Sequence, residues 1–118
     1  MADHLQLAED LYTAWRTADR DQAERLLAEG YEFSSPPDPL LDRDGYFERC
    51  WPGAGANVSG FQFVRMAEVG DEVLVTYIGT RADGTRFQNT EIFGFEGERI
   101  ARTEVYFGWD VPAGDIEQ

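Results

Sequence analysis

Glu91 is the side chain in this sequence best placed for chemistry. It closes the stretch Phe87-Gln88-Asn89-Thr90-Glu91, whose other members are aromatic, amide or hydroxyl side chains. A second stretch, Val105-Tyr106-Phe107-Gly108-Trp109, lies one strand further on. Two-residue turns at Gly70-Asp71, Asp83-Gly84 and Glu96-Gly97 would set Arg65 opposite Thr76, Thr76 opposite Glu91 and Glu91 opposite Arg102. By the same count Phe63 faces Ile78. Moving the last turn to Gly97-Glu98 sets Glu91 against Glu104 and Asn89 against Tyr106, with the same faces kept. A turn one residue longer would invert a strand, because side chains alternate with period two.

With strands about 4.8 Å apart, Glu91 is then in reach of both Arg65 and Arg102. Three roles are open to such a row. It is an internal ion-pair network, a polar seat for a ligand, or a site where Glu91 acts as catalytic acid or base. An ion pair keeps the carboxylate charged and lowers its pKa, and two nearby cations weaken it as a base. The candidate ligand-binding residues are Phe63, Arg65, Thr76, Asn89 and Glu91, then Arg102, Glu104 and Tyr106, with Trp15 and Phe33 facing them from the rest of the chain. Glu91 is the one candidate catalytic residue.

The elements that must position these side chains are legible from periodicity. Leu5, Ala8, Leu11, Tyr12 and Trp15 recur at helical spacing, which predicts a helix over 3–18. Asp19 and Gln22 form a capping box for a second helix, with Gly30 as its stop. Tyr31–Ser34 reads as a short strand and Ser35-Pro36-Pro37-Asp38-Pro39 as a loop. Asp42 can cap a third helix that carries Tyr46, Phe47, Cys50 and Trp51 and ends at Pro52. From Val58 the period becomes two, predicting strands near 60–69, 72–81, 85–96 and 98–108. The expectation is a single α+β domain over 1–118, a conical barrel of three helices on a curved antiparallel meander plus a short extra strand.

Neither sheet face is polar enough to be left to water. Val73, Val75, Tyr77, Ile92, Val105 and Phe107 share the face opposite Glu91, which predicts a homodimer packed sheet to sheet. Failing that, the tail from Val111 to Gln118 would have to cover it.

Composition excludes several classes. The net charge of −13, with 23 carboxylates against ten basic residues, all arginine, disfavours nucleic acid and anionic membranes. No apolar run is long enough for a membrane span, and residues 1–15 lack a signal-peptide pattern, so a cytoplasmic location is expected. Cys50 is the only cysteine and His4 the only histidine. No metal-ligand spacing and no phosphate loop appear, and no cofactor is expected.

The element order, with Phe87–Glu91, Ile92–Ile100 and Tyr106–Trp109, resembles the nuclear transport factor 2-like superfamily over roughly residues 5–109. Within it the chain is similar to short bacterial SnoaL-like proteins. The resemblance implies a cone with a pocket between helices and sheet, commonly dimeric, in a superfamily of cyclases, isomerases, dehydratases and epoxide hydrolases. The isomerases place a catalytic Asp before a Pro, where this chain has Ser35 before Pro36 and Asp38 three residues later. Their helix tyrosine corresponds to Leu11, with Tyr12 next to it, about 100° further round the helix. Their second oxyanion donor corresponds to Glu91. The epoxide hydrolase pattern would need Glu91, Arg102 and Glu104 to converge. The expected function is binding of a small, partly apolar ligand. The alternative is an isomerase, cyclase or hydrolase on a polyketide- or steroid-like substrate, with Glu91 as acid or base.

Overall fold

The computed structural model describes residues 3–112. Helix α1 (His4–Thr17) begins where the Asp3 side chain accepts the Gln6 amide, and it ends where Ala18 turns left-handed at φ 55°. Ala8, Leu11, Tyr12 and Ala14 form its buried stripe. Asp19 caps α2 (Arg20–Leu26) by accepting from the Gln22 amide, as the spacing predicts. The chain then passes directly into β1 (Leu27–Ser34). Gly30 is therefore inside a strand rather than a helix stop, and the strand starts at Leu27 rather than Tyr31. A two-residue β2 (Leu41–Asp42) precedes α3 (Arg43–Arg49), which Asp42 caps through the Gly45 amide. A 3-10 turn at Trp51–Gly53 follows, then β3 (Val58–Val69), β4 (Glu72–Arg81), β5 (Arg86–Glu96) and β6 (Arg99–Val111).

The sheet has six strands in the order β2-β1-β6-β5-β4-β3 and is mixed. The last four form the expected antiparallel meander, while β1 lies parallel to β6. The sheet curves under the helices but stays open. Tyr31, Phe93, Leu27, Ile100, Val73 and Val75 are its most deeply buried side chains. Burying a side chain of this size contributes roughly 1.5–3 kcal/mol. No helix among the described residues is long and apolar enough to cross a membrane. The tail beyond Pro112, the fallback cover for the sheet, lies outside the described residues.

Three departures from the two-residue count decide which residues neighbour Phe63 and Glu91. The β3–β4 turn is as expected and Arg65 faces Thr76, but Val64 is an extra residue, so Phe63 faces Tyr77 instead of Ile78. The β4–β5 turn has three residues, Ala82-Asp83-Gly84. Here the Arg81 amide donates to Thr85 at 2.8 Å, and Gly84 takes φ 90°, a left-handed bulge position that glycine occupies freely. Thr76 therefore faces Thr90, and Glu91 faces Val75. The β5–β6 turn is Gly97-Glu98, but Ala101 is an extra residue in β6, so Glu91 faces Val105 rather than Arg102 or Glu104.

These shifts turn β4 and most of β6 over relative to β5. Val73, Val75, Tyr77, Thr103, Val105 and Phe107 join Phe87, Asn89, Glu91 and Phe93 on the helix side. Arg65, Thr76, Arg102, Glu104 and Tyr106 go to the outer face. The expectation that Glu91 and Arg102 share the helix-covered face is thus corrected. So is the assignment of Val73, Val75, Tyr77, Val105 and Phe107 to the uncovered face; of that set only Ile92 lies there.

Candidate functional site

Tyr12 projects from α1 into the middle of the helix-side face, with its ring edge-on to Phe61, Phe63, Tyr77 and Phe93 at 5.0–5.8 Å between centroids. Its position follows from the buried stripe of α1. Its hydroxyl donates to Glu91 Oε1 at 2.8 Å, and the Tyr77 hydroxyl donates to Glu91 Oε2 at 2.9 Å. Asn89, opposite Tyr77 in the ladder, turns its Nδ2 to the Tyr77 oxygen at 3.5 Å and accepts the Gly108 amide on Oδ1 at 3.2 Å. A single hydrogen-bonded row therefore runs Gly108–Asn89–Tyr77–Glu91–Tyr12 across three strands and a helix.

Glu91 has no cationic partner among the described ion pairs. Burial raises its carboxyl above the usual value, and the bonds from Tyr12 and Tyr77 pull it back only in part. This reverses the lowered pKa expected of an ion pair. Burial, and after it the neighbouring Glu91 charge, raises the Tyr12 and Tyr77 hydroxyls as well, so both remain protonated donors.

The carboxyl lies deep but is not sealed: it opens on a cavity of about 990 Å³ between the helices and the sheet. Trp15, Phe33, Phe61 and Phe87 contribute to its wall, and Tyr31, Tyr46 and Thr103 to its deeper end. Two internal bonds fix that end, Tyr31 to Thr103 at 2.7 Å and the Trp15 indole to Tyr46 at 2.6 Å. At the mouth stand Asp38, Arg81, Asp83, Trp109 and Asp110. Arg81 is bonded to Asp110 at 2.8 Å and lies over the Phe87 ring at 4.8 Å. Cys50 also borders the cavity, but burial, with Asp38 adding to it, pushes its thiol up to about 11, which leaves it unreactive near neutrality.

Of the residues singled out from sequence, the structure brings Trp15, Phe33, Asn89 and Glu91 together around this cavity. Phe63 touches it only through the edge of Tyr12 and is partly exposed at the sheet border. Arg65, Thr76, Arg102, Glu104 and Tyr106 stand on the other side of the sheet. There Thr76 bonds Thr90 at 2.8 Å, Arg102 crosses Gly94 to pair with Glu72, and the Tyr106 hydroxyl donates to Glu104 at 3.0 Å. The Arg65–Glu91–Arg102 row does not form. Nor do Glu91, Arg102 and Glu104 converge, because Arg102 lies between Glu72 and Glu104 on the outer face and the sheet separates them from Glu91. Asp38, near the position of the isomerase base, is paired with Arg49 at 2.8 Å.

Tyr12 and Tyr77 are the functional residues that sequence reasoning missed. Tyr12 lay in the apolar stripe of its helix, which was a usable signal; Tyr77 was hidden by the register. Among the described residues no group of His, Cys, Asp or Glu is placed to hold a metal ion.

Solved structures of low sequence identity share this architecture. A Kribbella flavida protein superposes with a TM-score of 0.78 at 20% identity, covering 88% of this chain and 85% of that one. A putative ketosteroid isomerase from the same organism gives 0.74 at 16% identity, with 94% and 83% covered. An M. tuberculosis LEH-like epoxide hydrolase gives 0.70 at 18% identity, with 89% and 82% covered. No curated protein is significantly similar to this chain. The model of the SnoaL-like domain matches residues 8–103, the span that carries every element from α1 to the middle of β6, and the chain belongs to that family within the nuclear transport factor 2-like superfamily.

Proposed function

We propose that this protein binds a small, partly apolar molecule in the cavity between helices and sheet, with Glu91 holding the ligand's polar group. One observation carries this reading: a deep carboxyl without a cationic partner among the described residues, gripped by two tyrosines, opens on an aromatic cavity large enough for a drug-sized molecule. A carboxyl kept for stability alone would be paired or replaced by an apolar side chain. Titration with small aryl alcohols and ketones, followed by protein NMR, is expected to shift the Trp15 indole and Asn89 amide signals saturably. Shifts confined to the outer face, at Arg102 or Tyr106, would sink the reading.

The raised carboxyl favours a second reading, acid–base catalysis at Glu91 on a polyketide- or steroid-like carbonyl compound. A catalytic acid works best when its pKa is brought towards the operating pH, and burial moves Glu91 in that direction. The similarity to a putative ketosteroid isomerase and an epoxide hydrolase is in keeping with it. It predicts a pH–rate profile whose carboxyl limb disappears in Glu91→Gln.

The homodimer proposal moves to the side chains that occupy the outer face. Leu74 and Ile92 pair across β4 and β5, flanked by Ile78, Val64 and the half-exposed Tyr106. A second copy on this face would cover them. Sedimentation equilibrium at micromolar concentration is expected to show a dimer that Ile92→Lys converts to monomer. A wild-type monomer ends the proposal.

A further inference from the structure

We infer that the ligand of this cavity is an organic ammonium ion, a protonated amine carried on an apolar body. The inference rests on the pocket reading above and adds the ligand's chemical class. Three independent features of the cavity converge on it.

The first is charge. Among the described residues, Asp38, Asp83, Glu91 and Asp110 border the cavity, against one guanidinium, Arg81, which Asp110 already engages. Arg49 offsets Asp38 from outside. The whole chain carries −13. An anion would enter against this field, whereas a cation is drawn in and concentrated at the mouth.

The second is the wall. Tyr12, Phe61, Tyr77 and Phe87 surround the approach to Glu91 and pack largely edge to face. One of these rings, Phe87, already carries a cation on its electron-rich face, the Arg81 guanidinium at 4.8 Å. A cation among aromatic faces is attracted by their quadrupoles, and more strongly once it is out of water.

The third is hydrogen-bond bookkeeping. Two tyrosines and an ionised carboxylate share two protons, and both are used in the contacts to Oε1 and Oε2. Asn89 accepts the Gly108 amide on its oxygen and uses one of its two amide hydrogens on Tyr77. With Glu91 ionised, its two oxygens therefore offer the ligand lone pairs and a negative charge, with no proton of Tyr12 or Tyr77 left over. A ligand carboxylate meets that charge directly, and a ligand carbonyl finds the protons of Tyr12 and Tyr77 already engaged. An ammonium group donates to the remaining Glu91 lone pairs and supplies a counter-charge that none of the described ion pairs provides.

Three probes that share one body test this by calorimetry in mildly alkaline buffer: 2-phenylethylammonium, 2-phenylethanol and phenylacetate. The ammonium is expected to bind roughly tenfold more tightly than the alcohol, with phenylacetate weakest. Glu91→Gln should erase the ammonium's advantage, bringing its affinity to that of the alcohol. An alcohol that binds as well as the ammonium, or a preference that survives Glu91→Gln, overturns the ammonium inference and leaves the pocket reading standing. Failure of all three probes to bind overturns both.

Discussion

Gly108→Ala is expected to destabilise the fold by about 2–4 kcal/mol, seen as a lower urea midpoint with an unchanged slope. Gly108 is the extra residue of a bulge: Gln88 pairs with Trp109, but Asn89 pairs with Phe107. A Cβ at this point would fall well under 3.0 Å from the carbonyl oxygen of Gln88. That oxygen belongs to the backbone of β5, which the ladders to β4 and β6 hold on both sides. It cannot swing away as a side-chain tip could, so the strands must part locally. The same glycine donates its amide to Asn89, so parting them also loosens the row that ends at Glu91. Gly60→Ala serves as the control, since nothing lies within 4 Å of a Cβ there, and it should change stability by less than about 0.5 kcal/mol. Equal midpoints for the two variants would remove the bulge argument.

Bulges also explain which parts of the molecule could be read from the sequence. Helix starts were legible because Asp19 and Asp42 are local signals with a local job, satisfying free amides at the first turn. The extents of the four meander strands were legible because the period changes at Val58 and glycines mark the turns. Register was not. A three-residue turn at Ala82–Gly84 and the extra residues Val64, Ala101 and Gly108 leave no trace in a pattern whose two faces are both largely apolar. Where one face is polar, a one-residue slip would bury charge and the sequence would forbid it. Here the slip exchanges Ile78 for Tyr77 and Arg102 for Val105, and either face remains credible. Asn89 and Glu91 lie on the helix side as expected, whereas their partners on both neighbouring strands are inverted. Trp15 and Phe33 were found from outside the meander and did not depend on its register. A tertiary contact between Tyr12 and Glu91, 79 residues apart, has no local sequence signature at all.

Removing both hydroxyls from the carboxyl, Tyr12→Phe with Tyr77→Phe, is expected to produce a stability loss that grows with pH. Each hydroxyl bond to a charged acceptor contributes about 1.5–3 kcal/mol. With partial overlap between the two, the loss should be about 3–5 kcal/mol where Glu91 is ionised. Where Glu91 is neutral the loss should be smaller, because neutral partners bond more weakly. The sign follows from linkage. The folded-state pKa of Glu91 is raised above the ordinary value of 4.5, so the folded protein holds the proton that the unfolded chain releases. This contribution to stability is fully present below the unfolded value and is lost as pH rises through the folded one. Deleting the hydroxyls, whose bonds lower the carboxyl, raises its folded value further and extends that loss to higher pH. Glu91→Gln should flatten the slope, since an amide can accept from one tyrosine and donate to the other without carrying charge. Carboxyl-carbon NMR titration of Glu91, together with urea midpoints across the same pH series, reads both effects. A lowered Glu91 value, or a slope unchanged in Glu91→Gln, would return the carboxyl to an ion-paired role and remove the ground for a ligand at this position. With the raised value, the energy that folding leaves unrecovered at Glu91 is what a bound cation can restore.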